Sequence, residues 1–196
     1  MNTITTRHAI PTVEITVGLP AKELIRQAMA KVAHPELHTF LTLVASEPEV
    51  RQALSTPMAG SAASAASAPR LPLSFQSYPV QMLRRAGELA SFWCANGQNE
   101  RDVLYAATFI AGIGHLLAGS LVGQSSLDDV LFTLVRPHLH RLDDSAPHQA
   151  SLLRLALGWG NADEVDAWYV PRLQEAVARA LSAVLLGQFG SNVAAR

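Results

Sequence analysis

Apolar residues recur along this chain at helical spacing almost throughout. The runs that follow Pro20 and Pro35 repeat every three or four residues, which is typical of one buried face of a helix. Proline suits the first position of a helix, because the N–H that it lacks would be unpaired there anyway. The sequence Ser46-Glu47-Pro48-Glu49 resembles a capping box and predicts a short third helix, with Val50 and Leu54 on its apolar side.

The second half of the chain continues the helical pattern. Pro79 is expected to begin a helix whose buried stripe includes Trp93, and Gly97 to end it in the left-handed conformation. Asn99 is expected to cap the next helix, which is apolar on nearly all faces and is therefore the candidate centre of the core. Three more helices are predicted. The first runs from near Ser126 to Pro137, and the second from Ser145-Ala146-Pro147 to Gly158 or Gly160. The third begins near Asn161 or Asp163 and ends at Gly187, with a kink at Pro171.

Two segments do not follow this pattern. Residues 1–19 form an N-terminal arm, in which Thr12–Val17 alternates with period two and could be a short edge strand. Residues 55–74 are mostly Ala, Ser, Gly and Pro, whose small side chains bury too little area to offset ordering entropy, so a mobile loop is expected. The prediction is an all-α fold: one compact domain of seven or eight helices over residues 20–190.

Composition limits the possible partners. At 196 residues the chain has the length of one domain, and its charged fraction is 16%, below the average of about 25%. Such a surface favours a protein partner or a homo-oligomer. The net charge of −1 predicts no broad nucleic-acid surface, since phosphate binding requires many cationic contacts.

The compartment is expected to be the cytoplasm. The single Cys cannot form an internal disulfide, and residues 1–11 lack the apolar run of a secretory signal. The longest apolar stretch, Val103 to Val122, is interrupted by polar residues and three glycines, so a buried helix is a better interpretation than a membrane span.

Histidine is the only residue type numerous enough to suggest a metal site. His34 and His38 are four residues apart, but His34 would precede the helix that Pro35 begins, so surface histidines are the better interpretation. His138 and His140 would diverge on a helix, and a divalent site with His148 and Asp143-Asp144 is a weak alternative. No metal and no cofactor are predicted.

Nucleophilic or phosphate-binding groups are equally sparse. Cys94 lies near a helix C-terminus, where the dipole disfavours a thiolate, so a structural thiol is expected. Arg84-Arg85 is the only adjacent basic pair, which could bind phosphate but is more often a solvated helix surface.

Three segments resemble the HD-domain part of TraI-like conjugative relaxases. The segment from Phe75 to Ala90 (FQSYPVQMLRRAGELA) is similar to the family's H-H-A-Y-P-G-G-L-L-E-H-S-L-E-V-A. The segment from Ala107 to Leu116 (ATFIAGIGHL) looks like its A-A-L-L-H-D-I-G-K-L, and His34 to Val50 resembles its lead-in helices. The resemblance covers residues from about Lys22 to Leu117.

The departures from the family pattern concern its metal ligands. HD phosphohydrolases bind divalent metal through His and Asp side chains, and the metal activates water. The family's paired histidines fall on Phe75 and Gln76, its helix histidine on Arg85, and its His-Asp pair on Ala111 and Gly112. None of these side chains binds a divalent metal well. The resemblance therefore implies an HD-like fold without its metal centre.

The sequence thus favours a catalytically inactive HD-like binding or regulatory module, in a setting of conjugative or integrative elements. Its candidate ligand-binding residues are Arg84, Arg85, His115, His138 and His140. Arg85 beside a hollow at Ala111 and Gly112 could take a phosphate-containing ligand or an acidic side chain. One alternative is a metal-dependent phosphohydrolase or relaxase relative with relocated ligands, namely His115, His138, His140 and Asp143. Another is a helical sensor or dimerisation domain unrelated to the HD fold.

Overall fold

The chain is helical wherever its structure is described. The computed structural model describes residues 20–56, 79–120, 127–160 and 169–193, without the side chains of 94, 118–120, 127–130 and 185–193. These ranges contain eight helices and no strand, which confirms the predicted fold class. Their bounds are α1 Ala21–Met29, α2 Pro35–Ser46, α3 Pro48–Ser55, α4 Pro79–Cys94, α5 Gln98–Ser120, α6 Leu127–Ser145, α7 Pro147–Leu157 and α8 Tyr169–Val193. The predicted strand at Thr12–Val17 lies outside the described residues.

Helix α5 is the centre of the core, as its apolar sequence predicts. Every residue from 102 to 110 is buried, and α5 packs against α2, α3, α4, α6, α7 and α8. Burial of nearly all faces provides the stabilisation that a helix of this composition requires. No helix in the described ranges is both long enough and apolar enough to cross a membrane.

Helix α6 continues through Pro137, contrary to the sequence prediction that it would end there. Proline removes one backbone hydrogen bond and usually kinks or ends a helix. Here Pro137 is exposed, while a buried stripe continues along the opposite face on both sides of it, formed by Leu131, Val135, Leu139 and Leu142. The packing of this stripe outweighs the local cost of the proline.

Three of the predicted helix caps are wrong. Asn99 does not cap α5, because that helix begins at Gln98 and Asn99 is its second residue. Ser46 is the last residue of α2, and its Oγ donates to the Leu43 carbonyl at 2.6 Å instead of capping α3. Glu47 is the N-cap of α3 and makes no side-chain cap. Gly97 does not take the left-handed conformation. In the described part of the chain, only Gly158 has a positive φ.

The ends of the remaining helices are only partly as predicted. Gly158, with φ of 75°, ends α7, and the Trp159 N–H bonds the Arg154 carbonyl at 2.8 Å, as in a Schellman motif. Pro171 is the third residue of α8 as described, and the helix continues past it. The predicted start at Asn161 or Asp163 lies outside the described residues. Helix α8 extends beyond Gly187 to Val193.

The boundaries predicted for the Ala/Ser-rich loop are only partly described. Ser55 belongs to α3 and not to the loop, and residues 57–78 lie outside the described ranges. The loop and the arm at residues 1–19 therefore stay predictions.

Candidate functional site

The five candidate ligand-binding residues lie on three helices. Arg84 and Arg85 are on α4, His115 is on α5, and His138 and His140 are on α6. The contacts described below join none of the histidines to the arginines of α4.

Arg84 belongs to an ion network at the junction of α4 and the end of α1. Its Nε donates to Glu88 Oε1 at 3.1 Å, and the Lys31 ammonium lies 3.1 Å from the same oxygen. Two cations thus share one carboxylate. Since all three side chains are partly exposed, water screens the network, and it leaves an excess positive charge on this face.

Arg85 is exposed on α4 and makes no ion pair with any described residue. The hollow expected beside it does not exist. A Cβ built at Gly112 would lie 2.2 Å from Leu83 Cδ2 and 3.2 Å from Leu181 Cδ2, so the space is occupied by leucine methyl groups from α4 and α8. Ala111 is half-buried and also packs against the core. Phe75 and Gln76, on which the resemblance would put paired histidines, lie outside the described residues.

His138 connects α6 to the turn between α2 and α3. One ring nitrogen, Nε2, lies 2.6 Å from Glu47 Oε1, and the histidine side chain is only 11% exposed. The other nitrogen, Nδ1, is buried without a hydrogen-bond partner. The side chain therefore points into the packing between helices and not into an open site.

His140 points the opposite way, as expected of residues two apart on a helix. It is exposed, with Nε2 3.4 Å from Arg136 Nε and Nδ1 3.9 Å from Asp143 Oδ2. Asp143 itself pairs with both terminal nitrogens of Arg154 on α7. That pairing holds the pKa of the Asp143 carboxyl below its ordinary value, chiefly through the hydrogen bonds from Arg154.

The relocated metal site of the enzyme alternative is not assembled. His115 is exposed on α5, and no group of three His, Cys, Asp or Glu side chains that could hold a metal ion occurs in the described part of the chain. His34 is the N-cap of α2, so it does not share a helix face with His38. The side chain of Cys94 is not among those that the structure describes.

Two buried carboxylates, Glu100 and Asp102, lie near the beginning of α5. Glu100 is 8% exposed, and one of its oxygens accepts the Asn96 N–H, while the other, Oε1, has no hydrogen-bond partner. Its charge and a side-chain hydrogen bond contribute to raising the pKa of Tyr169, although burial of the phenol is the larger cause.

The feature that the sequence analysis missed is an exposed aromatic pair at the end of α4. Phe92 is 61% exposed and Trp93 43%, and they are the only large hydrophobic side chains exposed among the described residues. The prediction that Trp93 lies in the buried stripe of α4 is therefore wrong. The guanidinium of Arg179, on α8, lies over the Trp93 ring, 5.4 Å from its centroid. In the sequence, only the low charged fraction, which favours an apolar surface with a partner, pointed to such exposed aromatic residues.

These side chains form one continuous surface. Arg85, Leu89, Phe92 and Trp93 are spaced i, i+4, i+7 and i+8 on α4, so they fall within about 100° of arc, and Arg179 lies beside them. We call these five residues the arginine–aromatic surface.

The comparisons with known proteins add no relative. No protein-family model matches this chain, and no curated protein or solved structure matches it either.

Proposed function

We propose that this chain is a non-catalytic binding or regulatory domain, in which an HD-like helical scaffold has lost its metal centre. The proposal includes a cytoplasmic location and a setting among conjugative or integrative elements, both from the sequence analysis above. The evidence for the loss of the metal centre is the packing at one position, Gly112.

Gly112 occupies the position at which the resemblance would put a metal-binding aspartate. A Cβ there would overlap Leu83 Cδ2, 2.2 Å away, so a carboxylate has no room between α4, α5 and α8. Leucine methyl groups occupy the volume that ligands and an ion would need. The arginine at the position of the helix histidine faces solvent, where its fixed charge repels a cation.

The proposal is tested by metal analysis and by an activity assay. The protein is purified without chelator and incubated separately with Mn²⁺, Fe²⁺, Mg²⁺ and Zn²⁺. After desalting, its metal content is measured by mass spectrometry, and hydrolysis of bis-p-nitrophenyl phosphate is followed by absorbance. We expect far less than one metal ion per chain, and hydrolysis no faster than in buffer with the same metal.

One result would overturn the proposal. It is a metal content near one ion per chain together with phosphoester hydrolysis that EDTA abolishes. In that case the variants His138→Ala and His140→Ala would locate the ligands, with His38→Ala on α2 as a control.

A further inference from the structure

The arginine–aromatic surface carries a positive charge that the chain as a whole does not have. Helix α4 and the described side chains of α8 together carry four arginines and two glutamates, whereas the net charge of the whole chain is −1. One of those glutamates, Glu88, is already shared by Arg84 and Lys31. The other, Glu175, is exposed four residues before Arg179 on α8 but lies in no ion pair with it. Arg85 and Arg179 thus lie on this surface without an ion pair to any described carboxylate.

The charge pattern argues against a second copy of this chain as the occupant. In a two-fold symmetric contact the same surface faces itself, so both copies would bring an excess of positive charge to the interface. Like charges facing each other across an interface destabilise the complex. The complement of this surface is acidic.

Nucleic acid and membrane also fit this surface poorly. A nucleic-acid strand is bound through many cationic contacts to its phosphates, and here only Arg85 and Arg179 lie beside the aromatic pair. Membrane binding by an amphipathic helix requires a broad apolar face, and here only Phe92 and Trp93 are exposed. An acidic segment with a few apolar side chains matches both the charge and the small apolar area.

We infer that the arginine–aromatic surface binds an acidic amphipathic helix of a partner protein. This inference rests on the proposed binding function and specifies its site. From Arg85 to Trp93 the stripe is about 12 Å long, so roughly two turns of a partner helix cover it. Apolar side chains of that helix contact Leu89, Phe92 and Trp93, and its carboxylates pair with Arg85 and Arg179. Recognition of an amphipathic helix by anchors at such spacing is a general mode of peptide binding.

The test uses the full chain and three fluorescein-labelled synthetic helical peptides. The first is rich in Glu with Leu and Phe at positions i, i+3, i+4 and i+7, the second replaces each Glu by Lys, and the third has the first composition in scrambled order. Kd is measured by fluorescence anisotropy. We expect the acidic peptide to bind about tenfold or more tightly than the other two, and to weaken as salt rises.

Variants then locate the binding surface. Trp93→Ala and Arg85→Glu should each raise the Kd for the acidic peptide about tenfold or more, because buried aromatic and arginine anchors dominate such interfaces. Arg141→Glu makes the same charge change at an exposed position of α6 and should change the Kd less than about twofold. Phe92→Ser provides a second apolar variant, and circular dichroism checks that each variant is folded.

Several outcomes would overturn the inference. They are equal binding of the three peptides, binding unaffected by the α4 variants, dimerisation of the chain that Trp93→Ala abolishes, and Trp93-dependent binding of anionic vesicles or oligonucleotides without binding of the acidic peptide. These results are independent of the metal and hydrolysis measurements. Failure of the inference is therefore distinguishable from failure of the proposed function.

Discussion

The carboxylate of Asp102 accepts a hydrogen bond from the backbone N–H of His34 at 2.7 Å, across a sequence separation of 68 residues. Its other oxygen accepts from Gln98 Nε2 at 2.9 Å, and the aspartate is only 2% exposed. The central helix thus fixes the residue that begins α2. In the sequence, Asp102 appears only as an acidic residue near the first turn of its own helix.

Replacing Asp102 should destabilise the fold strongly. Asp102→Ala leaves the His34 N–H without a partner at a partly buried site and removes the acceptor of Gln98. We expect a loss of about 2 to 3 kcal/mol in the free energy of unfolding. Urea denaturation measures it, with Asp144→Ala at an exposed position of α6 as the control. A loss no larger than that of the control would contradict the assigned role of this hydrogen bond.

The contact between Gly112 and Leu83 predicts that Gly112→Ala destabilises the natural chain but stabilises the Leu83→Ala variant. In the natural chain, Gly112→Ala should destabilise by about 1 to 3 kcal/mol, because the new methyl group overlaps the Leu83 side chain. With Leu83→Ala already present, the same change fills vacated space and gains helix propensity, so it should stabilise by about 1 kcal/mol. Thermal and urea unfolding of the four proteins of this cycle give both values. Destabilisation by the same amount in both backgrounds would refute the proposed packing at Gly112.

The buried phenol of Tyr105 should make the fold sensitive to alkali. Its hydroxyl donates to the Ala28 carbonyl at 2.9 Å, and burial, the largest cause, raises its pKa far above the ordinary value of a tyrosine. The folded state retains this proton after the unfolded chain has released it, so the contribution to stability is complete below about pH 10 and is lost as the pH rises further.

Tyr105→Phe separates the effect of the hydrogen bond from that of the raised pKa of the phenol. At neutral pH it should cost about 1 kcal/mol for the lost hydrogen bond. Above about pH 10, its stability should fall less steeply with pH than that of the natural chain. Urea unfolding across this range tests the difference in slope, with Tyr169→Phe as a comparison, since the Tyr169 pKa is also raised. Parallel pH profiles for Tyr105→Phe and the natural chain would show that the phenol ionises without unfolding.

The ion pair of Asp143 with Arg154 should stabilise the fold at neutral pH and not in acid. Because the pKa of the Asp143 carboxyl is lowered in the folded state, its contribution is present above about pH 4 and disappears as the pH falls through the folded pKa. The pair is partly exposed and screened by water, so Asp143→Asn should cost only about 0.5 kcal/mol at pH 7. Unfolding of this variant and of Asp144→Asn at neutral and strongly acidic pH measures the difference. A cost that persists after the carboxyl is protonated would point to a role other than the ion pair.

The candidate site was only partly predictable from the sequence. The sequence shows Ala111 and Gly112 where the resemblance would put metal ligands, but the contact of Gly112 with Leu83 and Leu181 depends on how three helices pack. Trp93 was expected in the core because it continues the apolar stripe of α4. The structure leaves it at the surface beside Arg179, since periodicity indicates which residues share a helix face and not how far along the helix a neighbour covers that face.

The sequence by itself determined the helical class, the start of α2 at Pro35 and the central place of α5, because apolar periodicity and proline positions act over a few residues. Only the tertiary structure decided that α6 passes through Pro137, that Asp102 fixes the beginning of α2, and that Arg85 and Arg179 flank an exposed aromatic pair. Each of these depends on contacts between residues distant in sequence, whose packing energy exceeds the local preference of a proline, a cap or an apolar stripe.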